Sequence, residues 1–268
     1  MAKSKTTPKK IPITSKKSKQ IMTLIFTIIV GIYAYSAYFT ELSIYEIVTG
    51  MPYAIDFFKN DLFPPNWSYW DKVIGKLVET WNIALISTTL AVIFCLPFAF
   101  LAASNINTNK YLYTGVRFFL NILRTIPELI LAVVLVGIVG LGPISGIGAL
   151  FIFSLGILAK LISETVESVD PGPLEAIRAT GGNVFQVIWF GVMPQILPHY
   201  SSYSLYVLEI NVRASVVLGL VGAGGIGHIL KKNLDFNEFG NVSMIILMTF
   251  AAVVIIDTIS ASIRERLL

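Results

Sequence analysis

Six stretches of this chain are apolar for long enough to cross a bilayer, and each is closed by polar or turn-forming residues. They occupy positions 21–39, 82–103, 118–141, 146–166, 197–220 and 242–263. A hydrocarbon core about 30 Å thick needs roughly 20 apolar residues in a helix, and each stretch is near that length. Apolar residues follow one another without the alternation of a barrel strand, so every backbone polar group must be satisfied within its own segment, as in a helix. The pattern predicts an all-α integral membrane protein with six transmembrane helices.

The polar connections predict its orientation. Lys3, Lys5, Lys9, Lys10, Lys16, Lys17 and Lys19 precede the first apolar run, and no acidic residue occurs before Glu41. Lys110 and Arg117, Arg178, and Arg264 and Arg266 fall in alternate connections of the same side. The opposite side holds Glu41, Glu46, Asp56, Asp61, Asp71 and Glu79, against three lysines in the same loop. Lys and Arg collect on the cytoplasmic side, so both termini are expected inside. The chain then divides into a basic tail (1–20) and a transmembrane domain (21–268), with an external segment at 40–81 and a cytoplasmic loop at 167–196. Phe57 to Trp67 reads as an interfacial helix and turn, with Trp67, Tyr69, Trp70 and Trp81 as headgroup anchors.

Composition agrees with a membrane protein: 55% of residues are hydrophobic, 13% are charged, and mean hydropathy is +0.74. Soluble domains carry about 25% charged residues. The positive balance sits in the lysine tail without an aromatic binding surface, which suits anionic lipid rather than nucleic acid. The first apolar run exceeds the 7–15 residues of a signal-peptide core, so an uncleaved span is expected. Cys95 is the sole cysteine, which excludes an intrachain disulfide or a thiolate metal cluster.

The loop at 167–196 is more elaborate than a connection requires. Asp170-Pro171-Gly172-Pro173 breaks the preceding helix and lets Asp170 cap a new one, with Glu175 in its first turn. Gly181-Gly182-Asn183 ends that helix through a left-handed residue. A second short helix is expected from Val184 to Met193, with Pro194 and Pro198 opening the next span. Two short helices about a glycine hinge form a compact knob.

Charges inside spans are costly and point to function. Glu209 and Arg213 have the spacing and order of an i,i+4 ion pair; Lys160 and Glu164 share that spacing. Arg124 is expected near the cytoplasmic end of its span, within snorkelling reach, and Glu128 is expected to pair with a nearby cation. Gly222-x-Gly224-x-x-Gly227 matches a dinucleotide fingerprint only formally, because no strand precedes it. Its glycines serve close packing or a bend, or aim amides at a passing anion, or form a moving gate. His199 and His228 are isolated, and Gly75-Lys76 is followed by Leu77 rather than the Ser or Thr of a phosphate-binding loop. No catalytic or metal-ligand constellation is present, so the chain is not expected to be an enzyme.

Glu175, Ala176, Gly181, Met193 and Pro194 resemble the EAA loop of permease subunits in bacterial ABC importers. The general pattern is Glu-Ala-Ala, three residues, Gly, nine residues, then apolar-x-apolar-Pro; Ile177 replaces the second Ala and Gly191 an apolar residue. The phrases 63–67, 123–128, 140–143, 159–164, 209–214 and 221–227 resemble the phosphonate-type branch. The resemblance implies a type I importer (MetI-like) bundle with cytoplasmic coupling helices. It implies a second copy of the chain, a cytoplasmic ATPase dimer that binds the ATP and Mg, and an extracytoplasmic substrate-binding protein. No cofactor is expected in this chain. The implied cargo is a phosphonate, phosphite or hypophosphite, and the implied location the bacterial inner membrane. Glu175, Ala176, Gly181 and Pro194 would couple to the ATPase; Arg213, Glu209, Arg124, Gly224 and Gly225 are candidates for the translocation pathway. The alternatives are another small-anion ABC importer, a gradient-driven secondary transporter, or a membrane scaffold.

Overall fold

In the computed structural model, which describes residues 16–267, all regular structure is helical. Most of the lysine tail lies outside the described residues. The chain forms two units, divided between Phe57 and Phe58. The first contains α1 (Lys16–Phe39) and α2 (Ile44–Asp56). No residue in the apolar window of α1 is buried within the molecule, as befits a helix whose solvent is lipid. Ser43 caps α2 by accepting from the Glu46 amide at 3.2 Å.

A π-helical turn (Phe57–Leu62) starts at the last residue of the first unit, and the second unit goes on with a 3-10 turn (Trp67–Tyr69) and α3 (Trp70–Leu101). Then come α4 (Lys110–Thr125), α5 (Glu128–Val139), α6 (Pro143–Glu167), α7 (Pro171–Ala179) and α8 (Val184–Gln186). A second π-helical segment (Val187–Val192) leads into α9 (Met193–Leu220), then α10 (Gly225–Asp235) and α11 (Phe239–Leu267). Helices α3, α6 and α9 form the packed centre. Small residues permit the close approach that apolar solvent does not itself drive: Ala84, Ala91, Ala99, Ala149 and Ala159 are fully buried.

Among the described residues, five helical segments are long and apolar enough to span. The stretch expected as a continuous third span is instead two helices, α4 and α5, bent by 88°. Pro127 is the cause. Its ring disfavours helical backbone at Ile126, which is extended at φ −87°, ψ 118°. The pair still carries the chain from one end of the bundle to the other. At the α4 end, Arg117 donates to the Ala102 carbonyl (3.0 Å) and pairs with Glu167 (2.6 Å). Just beyond α5, the Gly142 amide donates to the Gly222 carbonyl at the opposite end (2.9 Å). The broken pair therefore counts as the sixth crossing.

Connections group at two ends. One end holds 102–109 and 168–195, bound through Glu167 to the Ser104 amide, Arg178 to the Asn105 carbonyl and the Asp170 amide to Gln195. The other holds 63–69, 140–142 and 221–241, where the Asn66 amide donates to the Gly240 carbonyl. There Asn66, Asn233, Asn241 and Tyr69 form a side-chain chain of hydrogen bonds.

Candidate coupling knob and charged bridge

Helix α7 begins as its sequence dictates. Asp170 accepts from the Gly172 amide at 3.0 Å, and Pro171 occupies the first turn, where a missing N–H costs nothing. Glu175 lies one residue past that first turn, so Asp170, not Glu175, supplies the negative charge at the helix start. The helix closes on Gly181, whose φ of +85° suits glycine, and the Gly182 amide donates to the Ile177 carbonyl (2.9 Å). Asn183 and Gln186 then make a reciprocal capping box.

The segment expected as a separate second helix is α8 and the π-helical turn, and these run on into α9 without a break. Helical backbone runs unbroken from Val184 through the π turn to Leu220, and Pro194 and Pro198 lie within it. A π turn widens the helix just before Pro194, where an ordinary α turn would meet the ring. Gln195 secures the join by donating to the Gly191 carbonyl (2.8 Å).

Leu174 faces inward and is buried with Val187, Val192 and Ile196. Glu175, Ala176, Gly181 and Pro194 are all exposed. The four expected coupling residues thus remain available on the surface of the knob. Arg178 ties the knob sideways to the loop between α3 and α4, donating to the Asn105 carbonyl at 2.9 Å.

Mid-bundle, α9 and α11 share a charge network. The expected pair is present, with Arg213 Nη2 donating to Glu209 Oε1 at 2.7 Å. Two further members were not anticipated: Arg264 Nη2 donates to Glu209 Oε2 (2.8 Å), and Arg213 Nη1 donates to Asp257 Oδ2 (3.2 Å). Asp257 is the sole acidic residue in the last apolar run (242–263), which was the available signal. Its pairing across helices leaves no trace in local spacing. Lys160 and Glu164 also pair, at 2.8 Å.

Arg124 is not near the end of a straight span. It lies in the last turn of α4, and its backbone packs against Gly156, midway along α6: a Cβ on that glycine would stand 3.3 Å from the Arg124 amide. Arg124 is exposed and forms no ion pair among the described residues. Glu128 pairs with no cation among them either. It sits in the first turn of α5, where the helix dipole favours its charge.

The glycine bend between α9 and α10 offers little to a passing anion. The Gly225 amide donates to Glu79 Oε1 and the Ile226 amide to Thr80 Oγ1, both at 2.8 Å. A carboxylate from α3 already fills that seat, and Lys76 pairs with it at 2.5 Å. Gly222, Gly224 and Gly225 have φ of +94°, +81° and +71°. A Cβ on Gly227 would overlap the Val216 carbonyl, so this position requires glycine for contact alone.

One polar cluster escaped the sequence reading. Buried Asn211 donates to Thr88 Oγ1 (2.8 Å) and Ser154 Oγ (2.7 Å), joining α9 to α3 and α6. His199 stacks on Tyr203 with centroids 6.2 Å apart. Among the described residues, no group of His, Cys, Asp and Glu could hold a metal ion.

A multi-pass helical bundle with one structured knob at one end is the architecture of an importer permease. The chain belongs to the family described as binding-protein-dependent transport system inner membrane component, whose model matches residues 95–267. It is a transport permease subunit and not an enzyme. It is 39% identical over 207 residues to the phosphate-import permease protein PhnE of Mycolicibacterium smegmatis, covering 77% of this chain and 39% of that protein. The chain therefore spans well under half the length of that relative. It is 36% identical over 220 residues to the phosphite transport system permease protein PtxC of Stutzerimonas stutzeri, covering 82% of this chain and 80% of that one. Among solved structures, a chain of the methionine ABC transporter MetNI in an inward-facing form superposes with a TM-score of 0.67 at 23% identity. The match covers 76% of this chain and 99% of that one, and it supports the type I importer bundle.

Proposed function

We propose that this chain is the membrane-spanning subunit of an ATP-driven importer for a small phosphorus oxyanion. The observation that carries the cargo class is the likeness, over most of the chain, to permeases named for phosphite and phosphate. Phosphonate, phosphite, hypophosphite and phosphate share a compact tetrahedral anion, so one pathway suits all four.

In this reading the knob end is cytoplasmic, as are both termini, and the protein lies in the bacterial inner membrane. A cytoplasmic ATPase dimer binds the ATP and Mg and grips the exposed face of α7 around Glu175 and Ala176. Gly181 sets the angle of that helix, and Pro194 the root of α9. A substrate-binding protein delivers cargo at the opposite end, and a second copy of the chain completes the pathway. ATP-driven closure of the ATPase moves α7, and Arg178 and the α9 root pass the motion into the bundle, a two-state gating scheme. Arg213 and Arg124 offer positive charge to the pathway at mid-depth, and Glu209 holds Arg213 in place. Gly224 and Gly225 act as part of an outer gate that Glu79 and Thr80 hold shut.

The test is ATP hydrolysis by the chain reconstituted in liposomes with its ATPase and binding protein, with and without methylphosphonate, phosphite and phosphate. Stimulation that needs both the binding protein and one of these anions supports the reading. An assembled complex indifferent to all three sends the assignment to another small-anion importer.

A further inference from the structure

The four charges on α9 and α11 sum to zero, but they are not held equally. Glu209 is the anchor: its side chain is 11% exposed, and each carboxylate oxygen takes one guanidinium, at 2.7 and 2.8 Å. Those lengths are typical of charge-assisted bonds, about 2.7–2.9 Å. The Arg213–Asp257 bridge is different. It is a single contact at 3.2 Å, and its partners are 47% and 35% exposed. Arg213 stands on the outward stripe of α9 with Tyr206 and Val217, both exposed. The bridge is therefore reachable from outside the bundle, while Glu209 is not.

A half-exposed guanidinium within a span is expensive against lipid, and a carboxylate that covers it lowers that cost while the pathway is empty. Arg264 balances Glu209, so removing Asp257 from Arg213 leaves one net positive charge with the Nη1 edge open. A planar guanidinium accepts a tetrahedral oxyanion through parallel N–H···O bonds, as it does a carboxylate. Building on the oxyanion reading, we infer that Asp257 is the counter-ion an incoming oxyanion displaces from Arg213, and so sets how tightly the pathway holds its cargo. Glu209 and Arg264 keep Arg213 in place during the exchange.

The inference fixes a sign. A purely structural counter-ion would, when neutralised, impair assembly or raise the KM for uptake. A displaceable one, when neutralised, lowers it. Uptake of radiolabelled phosphite, methylphosphonate and phosphate by the assembled importer in proteoliposomes decides the matter. Asp257→Asn is expected to lower KM about tenfold for whichever anion the parent carries, and Asp257→Glu, with a longer reach to Arg213, to raise it severalfold. An unchanged or raised KM in an assembled Asp257→Asn complex overturns the inference. If that variant does not assemble, the Asp257→Glu shift decides alone, and its absence has the same consequence. A parent complex that assembles but carries none of the three anions instead overturns the oxyanion reading.

Discussion

Ile177 and Gly191 fit each other. A Cβ built on Gly191 would stand 3.3 Å from Ile177 Cδ1, and equally close to Leu174 Cδ1. These are the two positions at which the loop departs from the general EAA pattern, a larger residue in place of Ala and a glycine in place of an apolar side chain. The departures compensate, because the volume added on α7 occupies the space left on the π-helical segment. Gly191→Val should thus lower knob stability by about 1–3 kcal/mol through overpacking. Ile177→Ala/Gly191→Val should recover more than the two single effects predict. Unfolding free energies in SDS, measured for all four proteins, give the cycle; strict additivity would dissociate the two positions.

Gly181 holds a backbone conformation that a β-branched residue adopts at a cost of about 1–3 kcal/mol, although no side chain crowds it. Gly181→Val is expected to insert normally and to bind the ATPase at a changed angle. Hydrolysis would then persist while uptake falls at least tenfold. Equal loss of both activities would indicate failed assembly rather than failed coupling.

Asn211 joins three helices from a buried position, yet a lone asparagine in an apolar run gives no sign of its partners. Interhelical hydrogen bonds in membranes average about 0.6 kcal/mol and reach about 1.7. Asn211→Leu removes the hydrogen bonds to both Thr88 and Ser154 and should lower stability against SDS unfolding by about 1–3 kcal/mol. A Thr88→Val/Asn211→Leu double variant should lose little more than Asn211→Leu alone, since the same bond is already broken.

The parts of this fold that depend on local chemistry were readable in the chain. Apolar length located the crossings, Asp170 and Gly181 marked the ends of α7, and the i,i+4 spacing paired Glu209 with Arg213. The failures have a common cause in tertiary context. Hydropathy is blind to the 88° turn at Pro127, because α4 and α5 together are apolar enough to read as one span. Pro194 suggested a helix start, but the π turn before it lets the helix continue. Asp257 and Arg264 meet Glu209 and Arg213 only because α11 folds back along α9, which no local pattern encodes.

Glu79 provides the last test, because it joins the centre of the bundle to the glycine bend. Its Oε1 accepts from the Gly225 amide, while Thr80 takes the next amide in line. Glu79→Ala leaves the Gly225 N–H without its acceptor, a loss of about 1–3 kcal/mol at that end if the site stays dry. Glu79→Gln retains an acceptor oxygen and loses only the charge, so its effect should be smaller. Hydrogen exchange across 219–227 reports the difference directly, with faster exchange expected in the order Ala, Gln, wild type. If the bend is a gate, the same order should appear in ATP hydrolysis measured without cargo, as a shut outer end becomes easier to open. Altered exchange with unaltered basal hydrolysis would make the Glu79 contact a structural cap and remove the bend from the gating scheme.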